Sequence, residues 1–216
     1  MAKKAESTLK NMLLSLTLIA LVASLALALV NRMTKGPIEE VNKKKTAEAV
    51  EKVLSIPDPA DASKMVKIYE NYTVDTVEFA DTIKGKPNTF TLTRYTATDA
   101  EGKMVGKAVE SYSDAGFGGR LKAMVGFDAE GNILGYDILE SSETPGLGAK
   151  ADQWFQRDGK GNVIGKNMNE KPLGVTKGGE GDVDAITGST ITSRAFCGLV
   201  NTAYKAYLIE KGGDKQ

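Results

Sequence analysis

The segment that determines how the second half of this chain folds is DAITGSTITS, residues 184–193. It places five hydroxyl side chains around Gly188, directly before a run in which apolar residues recur at spacings of three and four. The recurring positions are Ala195, Phe196, Leu199, Val200, Ala203, Tyr204, Tyr207 and Leu208. Such spacing is typical of a helix that buries one face, so the sequence predicts a helix that begins at the hydroxyl cluster.

The start of that predicted helix is a favourable place for an anion. Free backbone N–H groups and the positive end of the helix dipole stabilise negative charge there, a phosphate above all. Thr190 could hold such a group. Serine and threonine are also ordinary N-cap residues, so the alternative interpretation is that the cluster only caps the helix.

The order of residues within the cluster resembles a known signature. Asp184, two spacers and then Thr-Gly-Ser-Thr are similar to the flavinylation motif Asp-x-x-Ser/Thr-Gly-Ala-Thr of membrane-bound flavoproteins, whose last threonine is esterified to the phosphate of FMN. The resemblance implies covalent FMN on Thr190; Ser189 replaces the alanine and adds a competing hydroxyl. The residues that the resemblance places at the cofactor are Asp184, Thr187, Gly188, Ser189, Thr190 and Thr192.

A second motif lies upstream, ETPGLG at residues 143–148. It resembles a loop of the G subunit of Rnf electron-transport complexes and of the C subunit of the sodium-pumping NADH:quinone reductase. The resemblance runs from about residue 116 to 207 and includes an anchor helix at the start of the chain. It implies that the cofactor site also includes Glu143, Thr144, Gly146, Leu147 and Gly148.

The composition excludes several classes of function. Lys plus Arg and Asp plus Glu both number 28, so the excess of positive charge expected of a nucleic-acid-binding protein is missing. The chain has no histidine and one cysteine, Cys197, which excludes histidine-based catalysis, His-ligated metals, internal disulfides and Cys-ligated iron–sulfur clusters. We therefore predict no catalytic residue and no metal site. Any redox chemistry has to come from an organic cofactor, and Cys197 is expected to be a buried hydrophobic residue.

Residues 12–30 are almost entirely apolar, and as a helix they would span about 28 Å, close to the hydrocarbon thickness of a bilayer. The run is longer than the core of a secretory signal, and no small-residue cleavage site follows it. Basic residues flank both sides and, counted alone, place the large domain in the cytoplasm. That rule is weak for long domains, and the resembled subunits carry their flavin domain outside. The expectation is a single-pass inner-membrane protein with a periplasmic (extracytoplasmic) flavin domain.

Three regions follow from these boundaries: a transmembrane anchor at 1–33, a stalk helix and linker at 34–64, and an FMN-binding domain at 65–216. Gly36-Pro37 is expected to end the membrane segment. Within the last region the sequence predicts an α+β fold, a mixed antiparallel sheet plus helices. The predicted strands and short helix are 89–96, 104–112, 121–127, 133–139 and 151–155, the last carrying Trp154 as a core residue.

The sequence also contains an approximate repeat. Residues 99–120 align with residues 128–150, each running from an Asp-Ala-Glu-Gly turn through a strand to a Gly-hydrophobe-Gly loop and a basic residue. Two ordinary hairpin units would explain the similarity. The functional alternative is that the two loops flank one ligand, with Phe117 and Leu147 as apolar contacts.

The expected function is electron relay in an Rnf-type ferredoxin:NAD oxidoreductase complex, through FMN attached to Thr190, without turnover by the chain alone. The expected partners are the other subunits, membrane lipid and a flavin transferase that uses FAD as FMN donor with a divalent metal. Lys150 and Arg194 are candidate charge partners of the phosphate. The alternatives are a C-type subunit of a sodium-pumping quinone reductase, a membrane-anchored binding or assembly protein, and a stand-alone flavoenzyme.

Overall fold

The computed structural model describes residues 8–61, 63–83, 86–176 and 181–210. Contacts divide the chain into two compact units, Met1–Ala47 and Glu48–Gln216. Helix α1, Leu9–Val53, begins in the first unit and ends in the second. In the described part of the chain it is the one helix long and apolar enough to cross a membrane.

Gly36 and Pro37, where the membrane segment was expected to end, do not interrupt α1. A proline inside a helix costs one hydrogen bond and about 3 kcal/mol, which the many intact turns on either side can offset. The predicted stalk helix is therefore the C-terminal part of α1. The compact second unit begins at Glu48, and Ala49, Val50 and Val53 at the end of α1 are buried in it.

The second unit is built on antiparallel strands. A two-stranded sheet joins β1 and β2, and a five-stranded sheet has the order β3-β4-β5-β6-β7 with every neighbouring pair antiparallel. The strands are β1 Ser55–Pro57, β2 Met65–Lys67, β3 Asn71–Ile83, β4 Lys86–Thr98, β5 Met104–Ser113, β6 Leu121–Asp128 and β7 Ile133–Ser141. The four predicted strands are confirmed as β4 to β7. The edge strand β3 was not predicted.

Each face of the large sheet has its own core. On one face lies α3, Thr190–Leu208, with buried Phe196, Leu199 and Val200. On the other face lies the end of α1, with Val50 and Val53. Close approach there depends on Gly126 of β6, where an added Cβ would lie 2.1 Å from the carbonyl oxygen of Val53. The α+β prediction is confirmed.

The repeat identified in the sequence has a structural counterpart. Asp99 and Asp128 start identical turns, in which each Oδ1 accepts hydrogen bonds from the N–H groups two and four residues later, at 2.8–3.1 Å. The strands that follow, β5 and β7, both pair antiparallel with β6. They run in the same direction, so the glycine loops after them leave the same edge of the sheet.

A 3₁₀ turn, Gly148–Lys150, and a short helix α2, Ala151–Trp154, follow the second loop. The short helix was predicted at 151–155. Trp154 packs against the core and its indole N–H donates to the carbonyl oxygen of Asp184, at 2.8 Å. Cys197 is buried on α3, as predicted, and burial raises the pKa of its thiol to about 12.

Candidate functional site

Helix α3 begins where the sequence predicts, with Ser189 as N-cap and Thr190 as the first helical residue. Ser189 makes no side-chain capping hydrogen bond to the first turn. The first N–H groups of an α-helix have no partner within the helix, so this end keeps its donors and its positive dipole end for another group. Simple capping by Ser189 therefore does not account for the cluster.

A tight turn delivers the chain to Thr190. The N–H of Ser189 donates to the carbonyl oxygen of Ile186 at 2.9 Å, and Gly188 has a φ of 79°, the positive value that the third position of a type II turn needs. Ser193 fixes the turn from inside the helix: its hydroxyl accepts from the N–H of Ile186 and donates to the carbonyl oxygen of Ser189, both at 2.9 Å.

Thr187 and Gly188 are exposed at the tip of this turn, and Thr190 is half-buried. Asp184, at the start of the motif, is exposed, and its carboxylate accepts a hydrogen bond from the hydroxyl of Thr176 at 3.2 Å. Its backbone carbonyl is held by the indole of Trp154. Asp184 thus contacts Thr176 through its side chain and Trp154 through its backbone.

The ETPGLG segment is joined to α3 by one buried contact. Thr192 donates its hydroxyl to Oε2 of Glu143 at 2.9 Å, and the two residues are 0% and 7% exposed. Oε1 of Glu143 is buried and has no hydrogen-bond partner among the described residues. An unsatisfied buried acceptor costs about 1–3 kcal/mol, and such groups are rare in folded proteins.

Glycines enclose the Glu143 carboxylate on both sides. A Cβ added to Gly148 would lie 2.5 Å from Oε2 of Glu143 and 2.7 Å from the hydroxyl oxygen of Thr192. A Cβ added to Gly116 would lie 2.5 Å from Oε1, and one added to Gly118 would lie 2.1 Å from the carbonyl oxygen of Ser142. The two glycine loops therefore meet around Glu143, and only glycine fits at these three positions.

Each glycine loop is held together by hydrogen bonds of its own. Across the first, Arg120 donates to Asp114 at 2.7 Å and lies 4.7 Å from the ring centre of Tyr112. The hydrogen bond from Arg120 lowers the pKa of Asp114. In the second, the carbonyl oxygen of Thr144 accepts from the N–H groups of Leu147 and Ala149 at 3.1 and 3.2 Å.

The apolar tips of the two loops are open to solvent. Phe117 is 73% exposed and Leu147 is 45% exposed. Leu147 reaches the hydroxyl turn, since a Cβ added to Gly188 would lie 3.5 Å from its side chain. Gly146, at the turn of the second loop, has a φ of 75°.

The structure thus brings together most of the residues predicted for the site. Glu143, Gly148 and Thr192 are in direct contact, and Leu147 lies beside Gly188. Lys150 and Arg194 are exposed. Sequence reasoning missed the Asp114–Arg120 pair and the role of Ser193; the matching position of Asp114 and Arg120 at the two ends of a glycine loop was the signal available for the first.

The arrangement fits a phosphate-linked organic cofactor. It offers a half-buried hydroxyl on Thr190, an N-terminus without a side-chain cap, and glycine-rich backbone that permits close approach. Among the described residues there is no cluster of three or more His, Cys, Asp or Glu side chains that could hold a metal ion. The Thr190 hydroxyl at the helix N-terminus, beside glycine-rich backbone, suits attachment and placement of a group that brings its own chemistry.

Comparison with known proteins agrees with this geometry. Residues 116–205 match the model of the FMN-binding domain family. The chain is 35% identical over 197 residues to the G subunit of the Na(+)-translocating ferredoxin:NAD(+) oxidoreductase complex of Acetobacterium woodii, covering 90% of this chain and 89% of the relative. It is 31% identical over 202 residues to the G subunit of the ion-translocating oxidoreductase complex of Shewanella piezotolerans, covering 92% and 88%.

Among solved structures, the crystal structure of Shewanella oneidensis NqrC aligns with 58% of this chain and 63% of its own, at 21% identity and a TM-score of 0.43. The sequence relatives decide the assignment, because they match over nearly the whole length of both chains. The chain belongs to the family of G subunits of ion-translocating oxidoreductase complexes.

Proposed function

We propose that this chain is an electron-relay subunit of a membrane-bound, ion-translocating ferredoxin:NAD oxidoreductase complex, and that it carries FMN through a phosphoester bond to Thr190. The membership of the chain in the G-subunit family and the match of residues 116–205 to the FMN-binding domain support the cofactor and the complex. The bond to Thr190 goes beyond both.

The observation that carries the attachment is the position of Thr190. It is the first residue of a 19-residue helix whose N-cap side chain makes no capping hydrogen bond. A phosphodiester there would keep one negative charge, and the helix dipole and free N–H groups would stabilise it. The Ile186–Ser189 turn and the buried Ser193 hydroxyl hold the backbone of that position in place.

Attachment requires a second protein, a flavin transferase that uses FAD and a divalent metal. The hydroxyl oxygen of Thr190 attacks the phosphorus of the FMN half of FAD, the bond to the AMP half breaks, AMP leaves, and the hydroxyl proton passes to a base of the transferase. The exposed tip at Thr187 and Gly188 makes this turn reachable by such an enzyme. FMN, when bound, supplies the electron chemistry, and the chain supplies its placement.

Intact mass of the full chain, co-expressed with a flavin transferase, tests the proposal. The wild type should gain the mass of one FMN residue, and Thr190→Ala should lose it completely. Ser189→Ala is the matched control, because its hydroxyl is adjacent but belongs to the N-cap, and it should keep the added mass. An unmodified wild-type chain would contradict covalent attachment, and loss of FMN only in Ser189→Ala would move it to Ser189.

In-gel fluorescence of the denatured wild type separates this function from that of a membrane-anchored binding or assembly protein. A covalent flavin stays with the chain after denaturation and fluoresces in the gel. Covalent linkage also suits a compartment without free flavin, since a tethered cofactor cannot dissociate and its effective concentration at the site stays high. We accordingly propose that the flavin domain lies on the extracytoplasmic side of the membrane.

A further inference from the structure

The two edge strands of the five-stranded sheet, β3 and β7, differ in how they are protected. An edge strand presents a row of backbone N–H and C=O groups that can pair with another chain. Native proteins protect such edges with covering segments, bulges, lysine or proline, or by keeping the strand short. The two edges of this sheet can therefore be compared within one molecule.

Strand β7 is covered and irregular. The N–H of Ile133 donates to the carbonyl oxygen of Lys166 at 3.0 Å, and the carbonyl oxygen of Ile133 accepts from the N–H of Gly165 at 2.7 Å. Further along the strand, the side-chain amide of Gln156 donates to the carbonyl oxygen of Tyr136 at 3.1 Å. The pairing of β7 with β6 also shifts register at two places. Covering residues and bulges thus protect this edge.

Strand β3 lacks these features over the residues that the structure describes. It is 13 residues long, whereas a typical strand has about 5–6, and it pairs with β4 without a register shift from Asn71 to Ile83. Its sequence, NYTVDTVEFADTI, contains no lysine, arginine, proline or glycine. On its other side, no strand of the described chain pairs with it. A long and regular edge of this kind is a template for pairing with another strand.

The side chains beside this edge are apolar near its start. Tyr72 contacts Tyr69 and Tyr95, with ring centres 5.9 and 5.8 Å apart, on the face of the sheet where α1 ends. Residues two apart in a strand point to the same face, so Val74 follows Tyr72 there. Tyr72 is 39% exposed and Val74 is 54% exposed. A strand added along β3 would place alternate side chains against these two residues, as in complexes formed by strand addition.

The charges of β3 indicate what kind of strand fits. Asp75 and Asp81 point to the other face, where Arg94 and Lys205 of this chain pair with them. Glu78 lies on the face where α1 ends and is exposed. A second copy of the chain would bring the carboxylates of two β3 strands together, and like charges on paired strands are destabilising. A segment with a basic residue beside Glu78 fits better.

We propose that β3 is the strand through which this subunit is held in its complex. An extended segment of another subunit pairs with β3 and adds a sixth strand to the sheet. Its apolar side chains lie against Tyr72 and Val74, and a basic side chain lies against Glu78. This inference rests on the proposed place of the chain in an ion-translocating complex and adds the surface and the kind of segment that make the contact.

Hydrogen–deuterium exchange tests the pairing itself. The assembled complex and the full-length chain alone are purified in detergent, and exchange of the backbone amides of residues 71–81 is compared. In the free chain, the amides that point away from β4 should exchange rapidly. In the complex they should slow by about tenfold or more, because a paired N–H exchanges only when the pairing opens. The amides of β7 are the internal control and should exchange alike in both samples.

Unchanged exchange of residues 71–81 in a complex that retains the chain would overturn the strand addition and leave the proposed function in place. A wild-type chain that does not co-purify with a complex would overturn both.

A matched pair of variants tests the same contact through retention of the chain. Val74→Lys places a charge on the edge, as natural edge strands do against pairing. The amount of chain that co-purifies with a tagged subunit should fall several-fold, with thermal unfolding of the chain unchanged, because Val74 is 54% exposed. Met65→Lys is the control: Met65 is 56% exposed and lies on the β7 side, in a cleft with Leu134 and Tyr136, so retention should match the wild type. Equal losses in the two variants would overturn β3 as the specific contact.

Photo-crosslinking identifies the occupant of the edge. With p-benzoylphenylalanine in place of Val74, illumination of membranes that contain the whole complex should join this chain to another subunit, and mass spectrometry of the product gives the segment. The crosslinked segment should be extended in sequence pattern and carry a Lys or Arg. A crosslink between two copies of this chain, or to lipid alone, would overturn the assignment to a partner subunit.

Discussion

The hydroxyl of Thr192 and the carboxylate of Glu143 join two parts of the site that are 49 residues apart in sequence. Both residues are buried, and Gly148 lies directly against both side chains. The contact fixes the ETPGLG loop against the first turn of α3, and so against the hydroxyl turn that presents Thr190.

Thr192→Val keeps the shape of the side chain and removes this hydrogen bond. Both oxygens of Glu143 would then be buried without a partner, and the free energy of unfolding should fall by about 1–3 kcal/mol. Urea denaturation of the full chain in detergent measures the change. Thr91→Val, at an exposed position of β4, is the control and should change stability by less than about 0.5 kcal/mol. Equal stability of the two variants would show that Glu143 does not depend on Thr192.

For single residues, the sequence predicted which side chains belong to the site better than it predicted which side chains contact each other. The glycines of the two loops and the hydroxyls of the motif were predicted at the site because their order is local. The Glu143–Thr192 contact was not, because it depends on how β7 and α3 pack. Ser193 was missed for the same reason: its bonds to Ile186 and Ser189 exist only once the turn has formed.

Helix α3 is anchored at its C-terminal end by a buried arginine. Arg94 of β4 is 2% exposed and donates to Asp75 at 2.6 Å and to the carbonyl oxygen of Ala206 at 2.9 Å. It also donates to the carbonyl oxygen of Ile209. Lys107 adds a hydrogen bond to the carbonyl oxygen of Tyr207 at 2.8 Å. Burial, and next the charge of Arg94, lower the pKa of Lys107. Cations are favourable at this end of a helix dipole.

Arg94→Met should therefore be strongly destabilising, by about 3–5 kcal/mol, because it leaves Asp75 and the carbonyl oxygens of Ala206 and Ile209 without this partner. Arg94→Met combined with Asp75→Leu should recover part of the loss, since the uncompensated carboxylate is then gone. Lys205→Met removes an exposed ion pair with Asp81 and should cost no more than about 1 kcal/mol. Chemical denaturation of the full chain measures all three variants. A double variant as unstable as Arg94→Met would show that the lost helix contacts, and not the unpaired carboxylate, set the cost.

The elements were predictable where their periodicity is strong. Strands β4 to β7 alternate and are separated by turn residues, and α3 carries a regular apolar stripe. Strand β3 lies at the edge of the sheet and carries Asp75, Glu78 and Asp81 among its apolar residues, so its alternation of apolar and polar residues is weak. Its backbone pairs with β4 along its whole length, and this pairing stabilises the strand. The continuity of α1 through Pro37 was hidden by a residue that usually ends helices.

The arrangement of the whole site follows from the topology of the second unit. Because β5 and β7 flank β6 and run in the same direction, the two glycine loops leave the sheet at the same end. Helix α3 packs on one face of the sheet, and its first turn contacts the second loop at that end. The repeat in the sequence left two interpretations open, two ordinary hairpin units or a pair of loops around one ligand. It could not show that Glu143 would lie between them, because that depends on where α3 packs.

The side of the membrane on which the flavin domain lies can be tested by labelling introduced cysteines, because the native cysteine is buried. Cys197 is 3% exposed, and burial raises the pKa of its thiol to about 12, so the native chain should not react with a maleimide that cannot cross membranes. A cysteine introduced at exposed Lys160, in the second unit, should react in intact cells if that unit is extracytoplasmic. Lys10→Cys, before the apolar run of α1, should react only after lysis. Labelling of Lys10→Cys in intact cells, with Lys160→Cys protected until lysis, would place the flavin domain in the cytoplasm. Free flavin is present in the cytoplasm, so a covalent bond would not be needed there to retain the cofactor.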